Sequence, residues 1–210
     1  MSELTPIFAF DIDGVVLKWF SRLPDFLDSK GIDSTIIRSK INSDEYLEPT
    51  EIFQCDEEQA QTLLREYNAS HYISRLDEFD PKTASALRKF SEMGEVVAVT
   101  CIGTLPKCKE LRSENLYWLF GETFSQVICL DVDESKEEAL RELNKDGMVQ
   151  FFVDDRLRHV KEAMAAGVKA FHFVNDQNIA ETEGVDQFKN WKMINGFAKQ
   201  LAHNLARMAA

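Results

Sequence analysis

The stretch FAFDIDGVV, residues 8–16, decides how this chain is interpreted. An apolar run that begins at Ile7 leads into two aspartates one residue apart, Asp11 and Asp13, and Gly14 follows directly. Buried carboxylates must be paired or must coordinate a metal, because an unpaired charge is strongly disfavoured away from water. Two carboxylates at the end of a buried strand therefore predict a site for a hard cation, most simply Mg²⁺, with a reacting group beside it.

Composition bounds the size of the protein and its partners. The chain has 210 residues, 44% of them hydrophobic, which suits one α/β domain with a modest insertion. The formal net charge is −12, so we expect no polymeric nucleic acid as a partner, since such a partner requires a basic surface. A small phosphorylated molecule is compatible with this charge, because a bound metal and a few cations reverse the field locally.

The sequence shows no targeting pattern. The first residues, MSELTPIF, contain no basic segment followed by a long apolar one, so we expect no signal peptide. No apolar run approaches the roughly 18–20 residues of a membrane span, so we expect no membrane partner. The cysteines form no CxxC pair and are expected to be reduced thiols in a cytoplasmic protein. They are Cys55, Cys101, Cys108 and Cys129.

Short apolar runs that alternate with helical patterns predict an α/β fold with a doubly wound parallel sheet. The predicted strands are residues 7–10, 96–100, 126–130, 149–153 and 169–174. The predicted helices run from Asp80-Pro81 to Gly94, over 107–120, from a capping box of Ser135 and Glu138 towards Gly147, and over 156–166. The tail, residues 186–208, is predicted to form one or two amphipathic helices packed on the domain.

The connection after the first strand is unusually long. About 70 residues precede the next core helix, where a handful is usual. Short helices are predicted within this connection at 23–29, 34–41 and 56–67. We therefore interpret residues 18–78 as a small helical cap over the sheet, and residues 1–17 and 79–210 as the core.

Three predicted strands end in polar residues. The first ends at Asp11, the second at Thr100, and the fourth at the Asp154-Asp155 pair. Ligands of open α/β sheets bind beyond the carboxyl ends of the strands, near the point where the strand order reverses. For these side chains to meet, the first strand must lie between the second and the fourth, which predicts the order 3-2-1-4-5.

These motifs resemble those of the haloacid dehalogenase superfamily of phosphohydrolases. That family has DxDG at the first strand, Thr or Ser at the end of the second, Lys or Arg on a following helix, and DD or ED at the fourth. The resemblance covers about residues 6–174 and implies a Rossmann-like core with a cap between the first two motifs. The matching residues are Asp11 and Asp13, Thr100, Arg112, and Asp154 with Asp155.

The resemblance implies a role for each residue. Asp11 would attack phosphorus and form an aspartyl-phosphate, and Asp13 would protonate the leaving oxygen and then activate water. Asp13 argues against a dehalogenase, whose leaving halide needs no proton. Mg²⁺ would be held by Asp11, the main-chain carbonyl of Asp13, Asp155 directly and Asp154 through water. The Thr100 hydroxyl and nearby backbone N–H groups would bind phosphoryl oxygens.

A cation must offset the negative charge of such a site. The segment LRSENLYWLFG, residues 111–121, resembles the helix that carries the family's lysine in pyrimidine deoxyribonucleotidases. This alignment selects Arg112 as the phosphate-binding cation, with Lys107 as the second candidate. Cys101 follows Thr100 and either lines the substrate pocket or serves as a small buried hydrophobe.

Other conspicuous residues receive structural interpretations or stay open. The four histidines fit no metal-binding spacing and are expected to be structural or on the surface. The Asp131-Val132-Asp133 segment follows a strand without a glycine turn and is interpreted as a solvated loop. Trp19 and Phe20 either stack on a base or sugar of the substrate or pack the insertion.

The sequence thus predicts a Mg²⁺-dependent phosphomonoester hydrolase that acts on a small phosphorylated metabolite, preferably a nucleoside monophosphate. The alternatives within the fold are a sugar-phosphate phosphatase and a phosphoryl transferase or mutase. The alternative of another class is a binding or regulatory protein that keeps the fold without turnover.

Overall fold

The computed structural model describes residues 5–40, 47–174 and 182–208, and its centre is a six-stranded parallel sheet. The strands are β1 (Ile7–Phe10), β2 (Leu17–Lys18), β3 (Asp77–Glu78), β4 (Glu95–Thr100), β5 (Gln126–Cys129), β6 (Val149–Asp154), β7 (Ala170–Phe173) and β8 (Asp186–Phe188). The sheet order is β5-β4-β1-β6-β7-β8. This confirms the predicted order of five strands and the position of β1 between β4 and β6.

The sixth strand corrects the prediction for the tail. Residues 186–188 were expected to be helical, but they pair in parallel with Phe171–Phe173 of β7. The ring of Phe188 stacks on that of Phe171, with centroids 4.4 Å apart. A three-residue strand is too short for its own periodicity to distinguish it from the start of an amphipathic helix.

The helices follow the predicted alternation. They are α1 (Leu23–Ser29), α2 (Thr35–Lys40), α3 (Pro49–Phe53), α4 (Glu57–Asn68), α5 (Thr83–Ser91), α6 (Pro106–Phe120), α7 (Glu137–Leu143), α8 (Leu157–Ala165) and α9 (Trp191–Met208). Residue 41, the predicted end of the second cap helix, lies outside the described residues. None of the helices in the described part of the chain is long and apolar enough to cross a membrane.

Two predicted helix starts are corrected. Helix α5 begins at Thr83 rather than at Asp80-Pro81, because the Asp80 carboxylate accepts the Lys82 N–H at 2.7 Å and forms a turn before the helix. Helix α7 begins after Lys136 without a capping box. The Ser135 hydroxyl instead accepts the N–H of Glu137 at 3.2 Å.

Alternation along β1 divides the core between the two faces of the sheet. Phe8 and Phe10 point to the face that also holds Phe151 and Trp191. Ala9 points to the opposite face, which α7 and α8 cover. The Trp191 indole N–H donates to the main-chain oxygen of Val15 at 2.7 Å, which ties α9 to the turn after β1.

The long connection forms helices α1 to α4 over the carboxyl end of the sheet. Its two ends meet in the antiparallel pair of β2 and β3, where Leu17 lies opposite Glu78 and Lys18 opposite Asp77. Aromatic contacts fill its interior, for example Phe26 against Tyr67 with ring centroids 5.2 Å apart. We refer to residues 18–78 as the cap.

Candidate active site

The turn after β1 carries both aspartates of the first motif. The N–H of Asp11 donates to the main-chain oxygen of Val153 at 2.8 Å, which joins the ends of β1 and β6. Gly14 has φ +86°, and a Cβ there would lie 2.3 Å from Oδ2 of Asp155. Glycine is required at this position, since the turn needs a left-handed residue and the backbone lies directly against a carboxylate.

Three carboxylates from two strand ends converge beside this turn. One oxygen each of Asp11, Asp154 and Asp155 lies within 4.8 Å of the others. Asp11 and Asp154 are 6% and 0% exposed, whereas Asp155 is open to the solvent. Hard oxygen donors grouped in this way fit Mg²⁺, which binds through one or two carboxylates and keeps further positions for water and phosphate.

Lys136 provides the cation that contacts this cluster. Its Nζ lies 2.5 Å from Oδ1 of Asp11 and 2.7 Å from Oδ2 of Asp154, and the residue is 1% exposed. The two carboxylates hold the pKa of Lys136 above its ordinary value despite burial, so the ammonium is charged. Lys136 pairs with two of the three carboxylates, and a cluster of this charge favours a divalent ion beside it.

The two buried aspartates have opposite pKa shifts. Burial raises the pKa of Asp11 to about 6, although Lys136 opposes the shift. Burial also disfavours the charged form of Asp154, but Lys136 and the nearby His159 outweigh it and lower the pKa of Asp154 to about 2. Nδ1 of His159 lies 3.3 Å from Oδ2 of Asp154. Asp154 is therefore the partner of Lys136 that is charged at neutral pH and well below it.

Asp13 faces different partners. Nη2 of Arg112 lies 2.6 Å from Oδ1 and 2.7 Å from Oδ2 of Asp13, and Arg112 is 0% exposed. The hydroxyl of Thr100 donates to Oδ2 of Asp13 at a longer 3.4 Å. Arg112 thus reaches the site, but it ends on a carboxylate and does not line the cavity. The guanidinium group of Arg112 pairs with Asp13, and its binding to the phosphate stays a prediction.

The second candidate cation lies away from the site. Lys107 has an exposed side chain 3.3 Å from Glu110 on the outer face of α6, and it does not line the cavity. The first turn of α6 points the side chain of Lys107 into solvent, and a contact of Lys107 with the phosphate stays a prediction.

Sequence reasoning missed Lys136, which belongs to the loop before α7. The chain contains 24 lysines and arginines, and no local pattern singles out this one. The only available signal was its position at the start of the helix that follows the third strand of the predicted sheet. The resemblance of LRSENLYWLFG drew attention to α6 instead.

A cavity of about 570 Å³ lies between the strand ends and the cap. Its lower side includes Asp11, Asp13, Thr100, Lys136 and Asp155, and its cap side includes Trp19, Phe20, Leu47, Ile52, Leu64 and Asn68. Trp19 and Phe20 both line the cavity and pack on neighbours, with the Trp19 ring 5.0 Å from that of Tyr67. The two interpretations of this aromatic pair are therefore compatible.

Cys101 lines the cavity and is half-buried. Burial raises the pKa of its thiol to about 12, so it stays protonated and is a poor nucleophile. Its position agrees with both expectations for it, a wall of the pocket and a small apolar side chain.

Residues expected to be structural also border the cavity. His159 and His172 are buried there, and Nε2 of His172 lies 2.9 Å from the main-chain oxygen of Asp155. Both histidines thus support the strand end that carries the Asp154-Asp155 pair. Asp133 lies at the rim, with an exposed side chain 3.4 Å from Arg156. The loop of residues 131–133 is solvated, as expected, although it reaches the cavity.

Comparison with solved structures identifies the fold. A haloacid dehalogenase-like hydrolase from Streptococcus pneumoniae superposes with a TM-score of 0.62 at 14% identity, over 94% of this chain and 99% of that chain. An L-2-haloacid dehalogenase from Xanthobacter autotrophicus gives 0.64 at 11%, over 93% and 99%. A haloacid dehalogenase-superfamily hydrolase from Geobacter sulfurreducens gives 0.58 at 17%, over 92% and 96%. The chain therefore has the haloacid dehalogenase fold, which confirms at this level the resemblance seen in the motifs.

Sequence comparison adds one relative. An uncharacterized 32.4 kDa protein of enterobacteria phage T4 is 32% identical over 160 residues, which is 76% of this chain. The chain spans 57% of the length of that relative. No protein-family model matches the sequence.

Proposed function

We propose that the protein is a Mg²⁺-dependent phosphomonoester hydrolase that acts through an aspartyl-phosphate on a small phosphorylated metabolite. The observation that carries this proposal is the contact of Lys136 with Asp11 beside Asp154 and Asp155, next to a second aspartate, Asp13, which has a separate cationic partner. A single cluster thus holds a nucleophile, an acid–base group and the ligands for a divalent ion.

Asp11 is the proposed nucleophile. A carboxylate oxygen of Asp11 forms a bond to phosphorus while the bond from phosphorus to the leaving oxygen breaks. Lys136 orients Asp11 by its 2.5 Å contact and offsets part of the charge that the phosphoryl group brings. Asp11, Asp154 and Asp155 are the side chains that would hold Mg²⁺, with the main-chain carbonyl of Asp13. The ion supplies charge stabilisation of the phosphoryl oxygens.

Asp13 is the proposed general acid and base. It donates a proton to the leaving oxygen in the first step, and it accepts a proton from the water that attacks the aspartyl-phosphate in the second. Inorganic phosphate then leaves and Asp11 is regenerated. A halide needs no such proton, so Asp13 favours phosphoryl transfer over dehalogenation. Thr100 and the neighbouring backbone N–H groups are proposed to bind phosphoryl oxygens.

A nucleoside monophosphate is the proposed substrate class. The cavity has the volume of a typical small-molecule site. Its cap side combines the aromatic side chains of Trp19 and Phe20 and several aliphatic ones with polar groups that could bind a ribose or a base. These polar residues are Lys18, Glu48, Glu57, Gln61 and Asn68. A sugar phosphate is the second candidate, as is phosphoryl transfer to an acceptor other than water. We keep residues 18–78 as cap and residues 1–17 and 79–210 as core within this proposal.

Partners and location are proposed on charge and cysteine chemistry. The net charge of −12 supports the absence of a polymeric nucleic acid partner. All four cysteines are free, which supports a reducing compartment such as the cytoplasm.

The test is release of inorganic phosphate from p-nitrophenyl phosphate between pH 5 and pH 9, with Mg²⁺ and with EDTA. We expect turnover that requires Mg²⁺ and that Asp11→Asn abolishes without loss of the folded state. Absence of turnover across this range by folded protein would overturn the proposal and favour a binding or regulatory role. A panel of nucleoside monophosphates and sugar phosphates then ranks the substrate classes.

A further inference from the structure

Trp191 touches both ends of the segment that carries the proposed nucleophile and the proposed acid–base group. Its ring stacks on that of Phe10, the residue before Asp11, with centroids 6.0 Å apart and planes 22° from parallel. Its indole Nε1 donates to the main-chain oxygen of Val15, the residue after Gly14, at 2.7 Å. One side chain thus holds the residues on either side of the stretch from Asp11 to Gly14.

The carbonyl of Val15 depends on this bond. Val15 and Trp191 are both 0% exposed, so water does not reach the oxygen. No backbone N–H of the described residues donates to it. A buried carbonyl that loses its partner is destabilising, and a turn relieves that loss by moving. The position of the turn formed by residues 12–17 is therefore coupled to Trp191.

The turn is otherwise bonded mainly to itself. The N–H groups of Val16 and Leu17 donate to the main-chain oxygen of Ile12 at 2.9 and 2.8 Å. Internal bonds of this kind hold the shape of the turn but not its position over the sheet. That position depends on other elements, namely the indole of Trp191 and the N–H of Phe79, which donates to the oxygen of Val16 at 2.8 Å.

The two aspartates differ in how far they depend on the turn. Asp11 has anchors of its own, since its N–H donates to the oxygen of Val153 at 2.8 Å and its carboxylate contacts Lys136 at 2.5 Å. Asp13 lies within the turn, where its carboxylate is held by Arg112. A shift of the turn is therefore expected to displace Asp13 more than Asp11.

We propose, on the basis of the function proposed above, that Trp191 is a positioning residue that keeps Asp13 in place for proton transfer to the leaving group. Trp191 does not line the cavity, so it acts through the main chain from Val15 to Asp13. It is the first residue of α9 and lies beyond residues 6–174, the part of the chain whose motifs resemble the superfamily. The C-terminal helix thereby becomes a support of the reacting groups.

The test compares kcat for phenyl phosphate and p-nitrophenyl phosphate in the wild type and in Trp191→Phe. The two leaving groups have a similar shape, but phenolate leaves less readily and depends more on a proton from Asp13. Trp191→Phe keeps an aromatic ring against Phe10 and removes the donor to Val15. We expect kcat for phenyl phosphate relative to p-nitrophenyl phosphate to fall by about fivefold or more, a part of what general acid catalysis contributes, with little change in KM.

Phe197→Leu is the matched control. Phe197 lies on the same helix and packs on Phe151 and Phe171, with ring centroids 5.5 Å apart in each pair. This variant therefore also loses aromatic packing in the core. The packing it loses is against β6 and β7 rather than against the turn, so we expect it to keep the substrate ratio of the wild type.

Hydrogen exchange gives a second readout that does not depend on turnover. The amides of Val16 and Leu17 are protected by their bonds within the turn, and a turn that has lost an anchor opens more readily. We expect faster exchange in the peptide of residues 8–17 in Trp191→Phe and unchanged exchange of this peptide in Phe197→Leu.

The outcomes are distinct. Equal loss of kcat on both substrates in Trp191→Phe, unchanged exchange of residues 8–17, or the same fall of the ratio in Phe197→Leu would overturn the role of Trp191, while p-nitrophenyl phosphate turnover by the wild type upholds the proposed function. Absence of that turnover by folded wild type would overturn the proposed function itself, and hydrogen exchange would still decide whether Trp191 holds the turn. If Trp191→Phe does not fold, Trp191→Met fills the space with a flexible apolar side chain without a donor and provides the same test.

Discussion

The ammonium group of Lys136 lies 2.5 Å from a carboxylate oxygen of Asp11, although 125 positions separate the two residues in the chain. This contact joins the loop before α7 to the end of the central strand. It also extends to Asp154, 2.7 Å from the same nitrogen. The carboxylates at the ends of β1 and β6 therefore share one cation. Its removal is the most informative single change.

Replacement of Lys136 by Met is expected to abolish phosphate release and to destabilise the protein. Breaking a buried ion pair leaves uncompensated charge and costs about 3–5 kcal/mol. The free energy of unfolding from urea titration, without Mg²⁺, measures this loss. Lys107→Met is the matched control, since Lys107 is exposed and outside the cavity, and it is expected to retain activity and stability. Wild-type turnover in Lys136→Met would contradict the assigned role.

The central sheet could be predicted from the sequence because its information is local. Each of β1, β4 and β6 is an apolar run that ends in polar residues. These polar side chains form one site only if the three strands are neighbours in the sheet, with β1 in the middle. The strand β8 and the five-residue helix α3 were missed because elements of this length carry no readable periodicity.

The cation of the site could not be predicted in the same way. The position of Lys136 depends on how residues 130–136 fold back over the sheet, and that path is a property of tertiary structure. Helix α6 does approach the site, which is why Arg112 was a reasonable candidate, but its guanidinium group ends on Asp13. The sequence located the helix correctly and assigned its cation to the phosphate, whereas the contact with Asp13 depends on how α6 packs in the tertiary structure.

Mg²⁺ and pH are expected to act on stability through Asp11. The folded protein holds a proton on Asp11 up to about pH 6, whereas the unfolded chain releases it near pH 4. Stability without metal should therefore fall as the pH rises from about 4 to about 6, by up to ~3 kcal/mol. As the pH rises towards and past 6, the Asp11 carboxyl group loses its proton and becomes able to bind the ion. Stabilisation by Mg²⁺ should therefore increase with pH. Thermal unfolding with Mg²⁺ and with EDTA at several pH values measures both effects.

The control for this pH dependence is Asp11→Asn, which cannot ionise. Its unfolding temperature should respond less to pH between 4 and 6 and less to Mg²⁺ than that of the wild type. An unchanged response in this variant would assign the titration to another group.

Acid is expected to destabilise the protein through Asp154. The folded-state pKa of Asp154 is lowered to about 2, so its pairing contributes stability above the unfolded value near 4. This contribution is lost as the pH falls from about 4 to about 2. Urea titrations at pH 2.5 and pH 4.5 should show a smaller difference in Asp154→Asn than in the wild type. An equal difference would show that other carboxylates cause the acid transition.

Substitution of Gly14 by Ala is expected to disable the metal site. The new Cβ would lie 2.3 Å from Oδ2 of Asp155 and would force that carboxylate or the turn to move. Gly167→Ala is the matched control, since Gly167 has a similar φ of +77° and nothing within 4 Å of the added atom. Both variants incur about 1–2 kcal/mol of backbone strain, but only Gly14→Ala should lose Mg²⁺-dependent turnover. Equal activity of the two variants would show that Asp155 is free to relocate.

Arg112 is expected to matter most when the leaving group is poor. Its Nη2 contacts both oxygens of Asp13, and Arg112→Lys keeps the charge while it removes this geometry. An alkoxide must be protonated as it leaves, whereas p-nitrophenolate leaves readily without a proton. If Arg112 positions Asp13 for proton transfer, the variant should lose more kcat on an alkyl phosphate such as glycerol 2-phosphate than on p-nitrophenyl phosphate. We expect the difference to be about tenfold or more, which lies within the range that general acid catalysis contributes. An equal loss on both substrates would instead indicate that Arg112 acts on the phosphoryl group itself, as the sequence first suggested, and the two roles are separated by this one ratio.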